Sequence, residues 1–331
     1  MKSPRTQVLA LTWEHHRRMR ELCEWLGLPL LVLTTPHRAL RRYLTLSLQT
    51  LRVLRRERPR TVFIQNPSLI LATLVLAARP FLGRYRVVVD AHNEAVTPFT
   101  YARWPITWLA RRALRQADAT VVTNAALAEI VRTQGGRPLV LPDRLPSTPV
   151  QPQPTPLDES LRVMVIATYA ADEPIDEIIE AARTLGPGFQ FAFTGNPAKL
   201  AAELRAALPQ NVRLTGFLPE HDYWQLMADS HVALDLTLKP NCLVCGAYEA
   251  LALRKPMVLS GNPASRDLFG RVALFPREDR AADIADTLRE SRARYDEQVE
   301  RLTAEAPRFA EQWTLAAGAL RESLGAAANV R

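Results

Sequence analysis

The residues best able to do chemistry surround a glutamate near the start of a predicted helix. Glu249 lies three residues after Gly246, and an apolar strand, Val232–Leu236, precedes the helix. Backbone N–H groups at a helix start point outward and the helix dipole is positive there, so this end stabilises an anion. A carboxylate about one turn further along can accept two ribose hydroxyls. The pattern predicts a nucleotide-diphosphate site, with Cys245, Gly246 and Ala247 at the phosphates and Glu249 at the ribose.

Three other segments of the same half follow predicted strands, where ligands of parallel sheets bind. A glycine in such a turn permits close approach of the backbone, whose polar groups can contact a nucleobase. Each segment alone fits an ordinary strand-to-helix turn, but in order before Glu249 they predict the rest of the site. The candidate residues are Thr168, Tyr169, Thr194, Gly195, Asn196, Gly216, Phe217 and Leu218.

A second group of polar residues ends two predicted strands of the first half. Asp90, His92 and Glu94 follow one strand, and Asn66 follows the strand before it. A histidine here can act as general base on an acceptor hydroxyl, with Asp90 or Glu94 orienting it or serving as the base instead. The alternative is that Asp90 and Asn93 only tie a loop together and His92 takes no part.

Basic residues follow the first predicted strand. His15, His16 and Arg17 lie in this segment, and Arg17 and Arg18 open a helix whose dipole again favours an anion. We therefore expect His15, His16, Arg17 and Asn66 to contact an acceptor, with its phosphate at the helix start. The alternative is a solvated basic helix face.

The elements that position these residues alternate between strand and helix along the whole chain. Apolar strands separated by helices predict parallel sheets covered on both faces. Six prolines in residues 142–156 mark a linker. The predicted fold is α/β, with two doubly wound Rossmann-like domains, residues 1–150 and 151–305, facing a cleft. Near the end of the chain we predict one helix over 280–303 and a last helix over 306–325.

Charge is distributed unevenly between the halves. Residues 1–150 contain 23 Lys and Arg against nine Asp and Glu, a net charge of +14, whereas the remainder carries −6. A basic half suits nucleic acid, anionic lipid or a phosphorylated substrate. Nucleic acid is disfavoured as a partner, because the arginines lie on amphipathic helices without a binding motif.

Several classes are disfavoured by what the sequence lacks. Neither the dinucleotide-binding glycine motif nor the P-loop motif occurs. The pair Cys242 and Cys245 has no second Cys pair or His pair for a metal site. The longest apolar run, residues 69–78, is about half of what a membrane span requires. With no visible signal peptide, we expect a cytoplasmic protein.

The second half resembles a known family. Residues 248–258, YEALALRKPMV, together with the turns at 194–196 and 215–219, are similar to the donor-nucleotide domain of GT-B glycosyltransferases of the Glu-x7-Glu group (group 1). The resemblance implies that Glu249 binds the donor ribose and that the small residues at 244–247 bind the diphosphate. It also implies that residues 306–331 form a C-terminal helix crossing back to the first domain. GT-B enzymes seldom need a metal, so no metal and no cofactor are expected.

Two positions depart from this family. Asn241 stands where the first glutamate of the motif is usual, which leaves a hydrogen-bonding group without charge. The segment 167–174, after the first strand of this half, lacks the Arg and Lys that usually neutralise the diphosphate. Lys239, Arg266 or the basic first domain are the candidate replacements.

The first half resembles a narrower group. One predicted strand is followed by Gln65, Asn66 and Pro67, and the next one ends in residues 90–93. This pair of segments is similar to the acceptor domain of the mannosyltransferase that adds the first mannose to a dolichol-diphosphate chitobiose. Residues 38–58 and 101–116 mix Arg with Leu, Trp and Tyr, as helices on anionic lipid do. An ordinary core-facing stripe explains the same pattern.

Together these features predict a glycosyltransferase on the inner face of the plasma membrane. It would move a sugar from a nucleotide sugar to a glycan or polyprenyl-diphosphate-linked acceptor. A non-catalytic GT-B subunit that scaffolds a partner transferase, and a GT-B sugar-nucleotide epimerase, are the alternatives.

Overall fold

The computed structural model describes residues 7–66, 69–91, 93–96 and 106–325. The chain divides into two compact units, one of residues 1–144 with 312–331 and one of residues 145–311. Each unit contains a six-stranded sheet in which every strand pairing is parallel. The predicted α/β fold with two Rossmann-like domains is confirmed.

The first unit is built on strands β1 to β6, in the spatial order β2-β1-β3-β4-β5-β6. Its central strands are buried on both faces, which is why they read as continuous apolar runs in the sequence. Since β1, β3 and β4 are parallel and adjacent, the carboxyl ends of these three strands lie side by side. The strands are β1 (Val8–Thr12), β2 (Leu30–Val32), β3 (Thr61–Asn66), β4 (Arg86–Ala91), β5 (Ala119–Val122) and β6 (Pro138–Val140).

Helices cover both faces of this sheet. The connecting helices are α1 (Arg17–Leu26), α2 (Ala39–Glu57), α3 (Leu69–Leu82), α4 (Asn93–Val96), α5 (Ile106–Gln116) and α6 (Ala125–Thr133). Apolar side chains of α2, α3, α5 and α6 form one core with the sheet. On the other face, α1 packs with the end of the last helix of the chain. Each face of the sheet is therefore a separate hydrophobic layer.

The second unit is built on strands β7 to β12, in the order β12-β11-β10-β7-β8-β9. The strands are β7 (Leu161–Val165), β8 (Phe189–Thr194), β9 (Val212–Gly216), β10 (Val232–Asp235), β11 (Met257–Leu259) and β12 (Ala273–Leu274). The helices are α7 (Ile175–Leu185), α8 (Ala202–Ala206), α9 (Glu220–Asp229), α10 (Cys245–Leu253), α11 (Pro263–Phe269), α12 (Ala281–Ala293) and α13 (Tyr295–Leu324).

The last helices differ from the prediction. The helical conformation is interrupted at Arg294, between α12 and α13, and α13 then continues without interruption through Pro307. The predicted gap near residue 304 was therefore wrong. Proline removes one helical hydrogen bond, but side chains of α13 on both sides of it, Leu302 and Trp313 among them, are buried in cores that hold the helix together.

The proline-rich stretch is anchored on the second unit. The ammonium of Lys255, which is buried, donates to Gln153 O at 3.2 Å and to Thr155 Oγ1 at 2.5 Å. The Tyr295 hydroxyl donates to Thr155 O at 2.8 Å. Burial lowers the pKa of Lys255 to about 8. The residues that follow 144 thus form a strap on this unit.

Within the described residues, no helix is long and apolar enough to span a bilayer.

Candidate functional site

The carboxyl edge of the second sheet gathers most of the predicted donor residues. Thr168 and Tyr169 follow β7, Thr194 ends β8 with Gly195 and Asn196 after it, and Gly216 ends β9. Helix α10 starts beyond the end of β10, which lies beside β7 in the sheet. Parallel topology therefore brings these separate segments to one edge.

A buried aspartate, Asp235, lies under the start of α10. Its Oδ2 accepts a hydrogen bond from Gly246 N at 3.0 Å. A side chain at position 246 would collide with this carboxyl group and with Ile166. Gly246 is thus required for close packing, and its N–H, which we expected at a diphosphate, has a partner within the protein.

The pKa of Asp235 is raised to about 8. Burial is the main cause, the charges of Glu249 and Glu173 add to it, and the Gly246 N–H opposes it. Asp235 therefore holds a proton more strongly than an exposed aspartate does. The sequence did not single it out, because it ends an otherwise apolar strand.

Glu249 is held by a tyrosine. Its Oε2 accepts a hydrogen bond from the Tyr223 hydroxyl at 2.7 Å. Burial and this negative neighbour raise the pKa of Tyr223, which stays a donor. Glu249 itself is half-buried on the first turns of α10. The carboxylate predicted for the ribose is therefore oriented by Tyr223 of α9, a residue that sequence reasoning did not identify.

The loop after β7 is closed by another carboxylate. Glu173 accepts hydrogen bonds from Thr168 N at 2.9 Å, Thr168 Oγ1 at 2.5 Å and Tyr169 N at 2.8 Å. Tyr169 adopts a left-handed backbone with φ +55°, a conformation that lets successive N–H groups converge on an anion. The N–H groups of this loop thus hold a side chain of the protein itself.

The cations suggested as replacements have partners as well. Lys239 lies 3.5 Å from the carboxylate of Asp172. Arg266 donates to Gly261 O at 2.9 Å and lies over the ring of Phe275.

A further cation, Lys199, donates to Thr168 O at 3.0 Å. It therefore brings a positive charge to the loop that Glu173 closes.

The turn after β8 is tightly packed. Thr194 Oγ1 donates to Val165 O at 3.1 Å. Gly195 has φ +85°, and a Cβ there would collide with Ala167 O. The Asn196 side chain accepts from Ala198 N at 3.1 Å. Thr194 and Asn196 therefore shape the turn through their side chains.

Other predicted donor residues differ in exposure. Phe217 is 87% exposed beside Gly216, Leu218 is partly buried, Cys245 is exposed and Ala247 is buried. Asn241 has a left-handed backbone, φ +55°. The exposed ring of Phe217 is available to stack on a planar group.

The first unit contains a buried ion pair at the carboxyl edge of its sheet. Arg18 Nε donates to Asp90 Oδ1 at 3.0 Å, Nη1 to Asp143 Oδ1 at 2.5 Å, and Nη2 to Leu141 O at 2.8 Å. Both Arg18 and Asp90 are buried. The negative partners keep Arg18 charged, with its pKa raised although burial alone would lower it. Asp90 is thus bound to Arg18, which links β4 to the chain after β6.

The remaining predicted acceptor residues lie around this pair. His15 is exposed, His16 directly precedes α1 without a side-chain hydrogen bond to the helix start, and Arg17 forms a surface ion pair with Glu21 at 2.8 Å. The backbone of Asn66 pairs with that of Ala91.

Two of the predicted catalytic residues fall wholly or partly outside the described residues. His92 lies outside the described residues. Glu94 is in α4, and its side chain is outside them as well.

Two glycosyltransferase family models match the chain, one in each half. Residues 2–143 match a family model described as a glycosyl transferase 4-like domain, and residues 175–319 match one described as glycosyl transferase-like. No curated protein matches the sequence. The two family matches together support a group 1 glycosyltransferase.

Solved structures share the fold at low sequence identity. HepE of Anabaena, in complex with UDP, is 14% identical with a TM-score of 0.73, covering 97% of this chain and 100% of that chain. Sucrose-phosphate synthase of Thermosynechococcus elongatus is 13% identical with a TM-score of 0.73 and the same coverage. A putative UDP-N-acetylglucosamine 2-epimerase of Listeria monocytogenes is 11% identical with a TM-score of 0.66, covering 96% and 95%. These likenesses establish the GT-B fold.

Proposed function

We propose that this chain, a glycosyltransferase of the GT-B fold, moves a hexose from a nucleotide-diphosphate sugar to a glycan acceptor linked to a polyprenyl diphosphate. The second unit binds the donor and the first binds the acceptor. HepE, which has the same fold, binds UDP and UDP-glucose, so a uridine diphosphate sugar is the first donor to test.

Glu249 carries the proposal. Its carboxylate is oriented by Tyr223 at 2.7 Å, about one turn from the positive end of α10. A carboxylate fixed in this way accepts ribose hydroxyls through charge-assisted hydrogen bonds. The raised pKa of Asp235 acts in the same direction, because a protonated carboxyl group beneath the helix start adds no negative charge near a diphosphate. Lys199, bonded to Thr168 O, supplies a cation on the loop after β7.

For the acceptor side we propose His92 as the general base. In the sequence it follows Asp90 by two residues and comes directly after Ala91, the last residue of β4. Asp90 is a poor candidate because it is engaged by Arg18, so it acts as a positioning residue and Glu94 is the second candidate base. His15, His16, Arg17 and Asn66 are proposed to contact the acceptor.

We further propose that transfer needs no metal and no cofactor. The sequence contains no Asp-x-Asp pair, and the helix start near Cys245 and Ala247 would stabilise the leaving diphosphate. A lipid-linked acceptor would be met at a membrane surface, so the protein is proposed to act there.

A second candidate is a non-catalytic subunit that scaffolds a partner transferase. The carboxylate of Glu173 already occupies the N–H groups of Thr168 and Tyr169, and the segment 167–174 has no Lys or Arg. If this loop never accepts a phosphate, nucleotide sugars will not bind.

Nucleotide binding distinguishes a catalytic glycosyltransferase from a non-catalytic scaffolding subunit. We expect UDP-glucose, GDP-mannose or TDP-glucose to raise the melting temperature of the protein, and titration calorimetry to give its affinity. Glu249→Gln should weaken binding about tenfold or more, because a hydrogen bond to a charged group contributes about 1.5–3 kcal/mol. Tyr223→Phe should weaken it less, since Glu249 keeps its charge.

Glu203→Gln is the matched control, because Glu203 is exposed on α8 of the same unit. Absence of binding by all three nucleotides would favour the scaffolding subunit. Equal affinity of Glu249→Gln and wild type would remove Glu249 from the site. His92→Ala should abolish transfer while nucleotide affinity is unchanged, and retained transfer would exclude His92 as the base.

A further inference from the structure

Three helices of the first unit leave a row of large apolar side chains in solvent. Helices α2, α3 and α5 lie on one face of the sheet and pack on it through one core. Their outward sides form what we call the α2–α3–α5 face. Its exposed apolar residues are Leu40, Leu44, Leu48, Ile70, Phe81, Ile106 and Trp108. They are seven of the twelve large apolar side chains exposed in the described part of the chain.

On α2 the exposed leucines form a line. Leu40, Leu44 and Leu48 are spaced by four residues, which places them on one side of the helix. The same line continues with Arg52 and Arg56, both exposed. The buried residues of α2, such as Leu46 and Leu54, face the core instead. The leucine line therefore does not serve the packing of the first unit.

Between α3 and α5 the face has a groove of about 670 Å³. Phe81, which is 85% exposed, and Trp108 line it, together with Leu76 and Leu109 at its apolar floor. The guanidinium of Arg112 lies 5.4 Å from the centre of the Trp108 ring. Two aromatic rings thus stand in solvent beside arginine.

The charged residues of the three helices are almost all positive. Helices α2, α3 and α5 together contain nine arginines and one acidic residue, Glu57. Large apolar groups interleaved with cations suit the boundary between lipid headgroups and acyl chains, where apolar side chains enter the bilayer and arginines contact phosphates. A protein partner would require an acidic surface with pockets for the rings, whereas an anionic bilayer supplies both features without specific shape.

We propose that the α2–α3–α5 face docks on the surface of an anionic phospholipid bilayer, with Leu40, Leu44, Leu48, Phe81 and Trp108 inserted and the arginines on the headgroups. The inference deepens the proposed function and rests on it, because a polyprenyl-linked acceptor is met at such a surface. It assigns the docking residues, which that proposal does not name.

Vesicle co-sedimentation of the full chain, without sugar or nucleotide, tests the proposal. Wild type should bind vesicles of phosphatidylcholine with phosphatidylglycerol at least tenfold more tightly than vesicles of phosphatidylcholine alone. A triple variant, Leu40→Ser, Leu44→Ser and Leu48→Ser, should lose at least tenfold of this affinity. Phe81→Ser with Trp108→Ser should do the same. Melting temperatures should stay unchanged, since these side chains are exposed.

Leu315→Ser is the matched control. Leu315 is 77% exposed on α13, whose end packs on the other face of the same sheet, so its loss should leave vesicle binding unchanged. Acyl chains carrying bromine should quench the fluorescence of wild type more than that of Trp108→Phe.

Three results would overturn the proposal. They are equal binding to neutral and anionic vesicles, variants of the face that bind as wild type does, and a dimer in sedimentation velocity that the triple variant dissolves. The last would assign the face to a second copy of the chain. None of them would affect the nucleotide test, so failure here is distinguishable from failure of the proposed function.

Discussion

Two adjacent arginines at the start of α1 should differ greatly in their contribution to stability. The side chain of Arg18 is 6% exposed and that of its partner Asp90 is 1% exposed. Arg18→Met leaves the Asp90 carboxylate buried without its cation, which costs about 3–5 kcal/mol of the free energy of unfolding. The side chain of Arg17 is 47% exposed and its partner Glu21 is 23% exposed. For Arg17→Met we expect a loss of about 1 kcal/mol or less, because a surface pair is screened by solvent.

Urea unfolding followed by tryptophan fluorescence measures the difference, because Trp13, Trp25 and Trp313 all lie in the first unit. A double variant, Arg18→Met with Asp90→Leu, should recover most of the loss, since replacing a whole buried pair by apolar side chains is often neutral. A double-mutant cycle with the two single variants gives the interaction energy between Arg18 and Asp90.

Equal losses for the two arginine variants would refute this reasoning, because burial would then have no effect. A double variant no more stable than Arg18→Met would also refute it, since the cost would then come from lost packing and not from the orphaned carboxylate. Increased salt should weaken only the Arg17 pair.

Three further predictions concern stability. Asp235 has a pKa raised from 3.8 to about 8, so the folded chain keeps a proton that the unfolded chain releases; stability should fall as pH rises towards 8 and level off above it. Asp235→Asn, which keeps an acceptor for Gly246 N, should flatten this dependence of the melting temperature, and an unchanged slope would exclude Asp235 as its source. Gly246→Ala should lower the free energy of unfolding by about 1–3 kcal/mol, because the new Cβ meets Ile166 and Asp235; a melting curve like that of wild type would contradict this. Gly318→Ala, inside α13 with open space around the added Cβ, should raise it by about 0.5–1 kcal/mol in urea unfolding, and a loss would mean that the helix needs the glycine.

The fold could be predicted because its signal is local. Strands buried on both faces are continuous apolar runs, and helices between them have a different period, so the alternation is visible in the sequence. The break between α12 and α13 could not be read in this way. Proline disfavours a helix locally, but the burial of Leu302 and Trp313 on either side of Pro307 keeps α13 whole.

In the candidate site, too, some residues could be predicted from the sequence and others could not. Glu249 and Gly246 could be selected from the sequence because a helix start with small residues is recognisable by spacing alone. The partners that decide their chemistry could not. Asp235 ends an apolar strand and Tyr223 lies on another helix, so their contacts with Gly246 and Glu249 arise only when β10, α9 and α10 pack together.

The sequence by itself determined the two α/β domains, the basic first half and the position of Glu249, because composition and periodicity are properties of the chain. Tertiary structure decided which charges are buried. Arg17 and Arg18 are chemically identical neighbours, and only the turn of α1 sends one into solvent and the other to Asp90. It also decided that the carboxylate of Glu173 accepts the N–H groups of the loop after β7 and that burial raises the pKa of Asp235. Dielectric environment and pairing depend on residues far apart in the chain, so they exist only once the chain has folded.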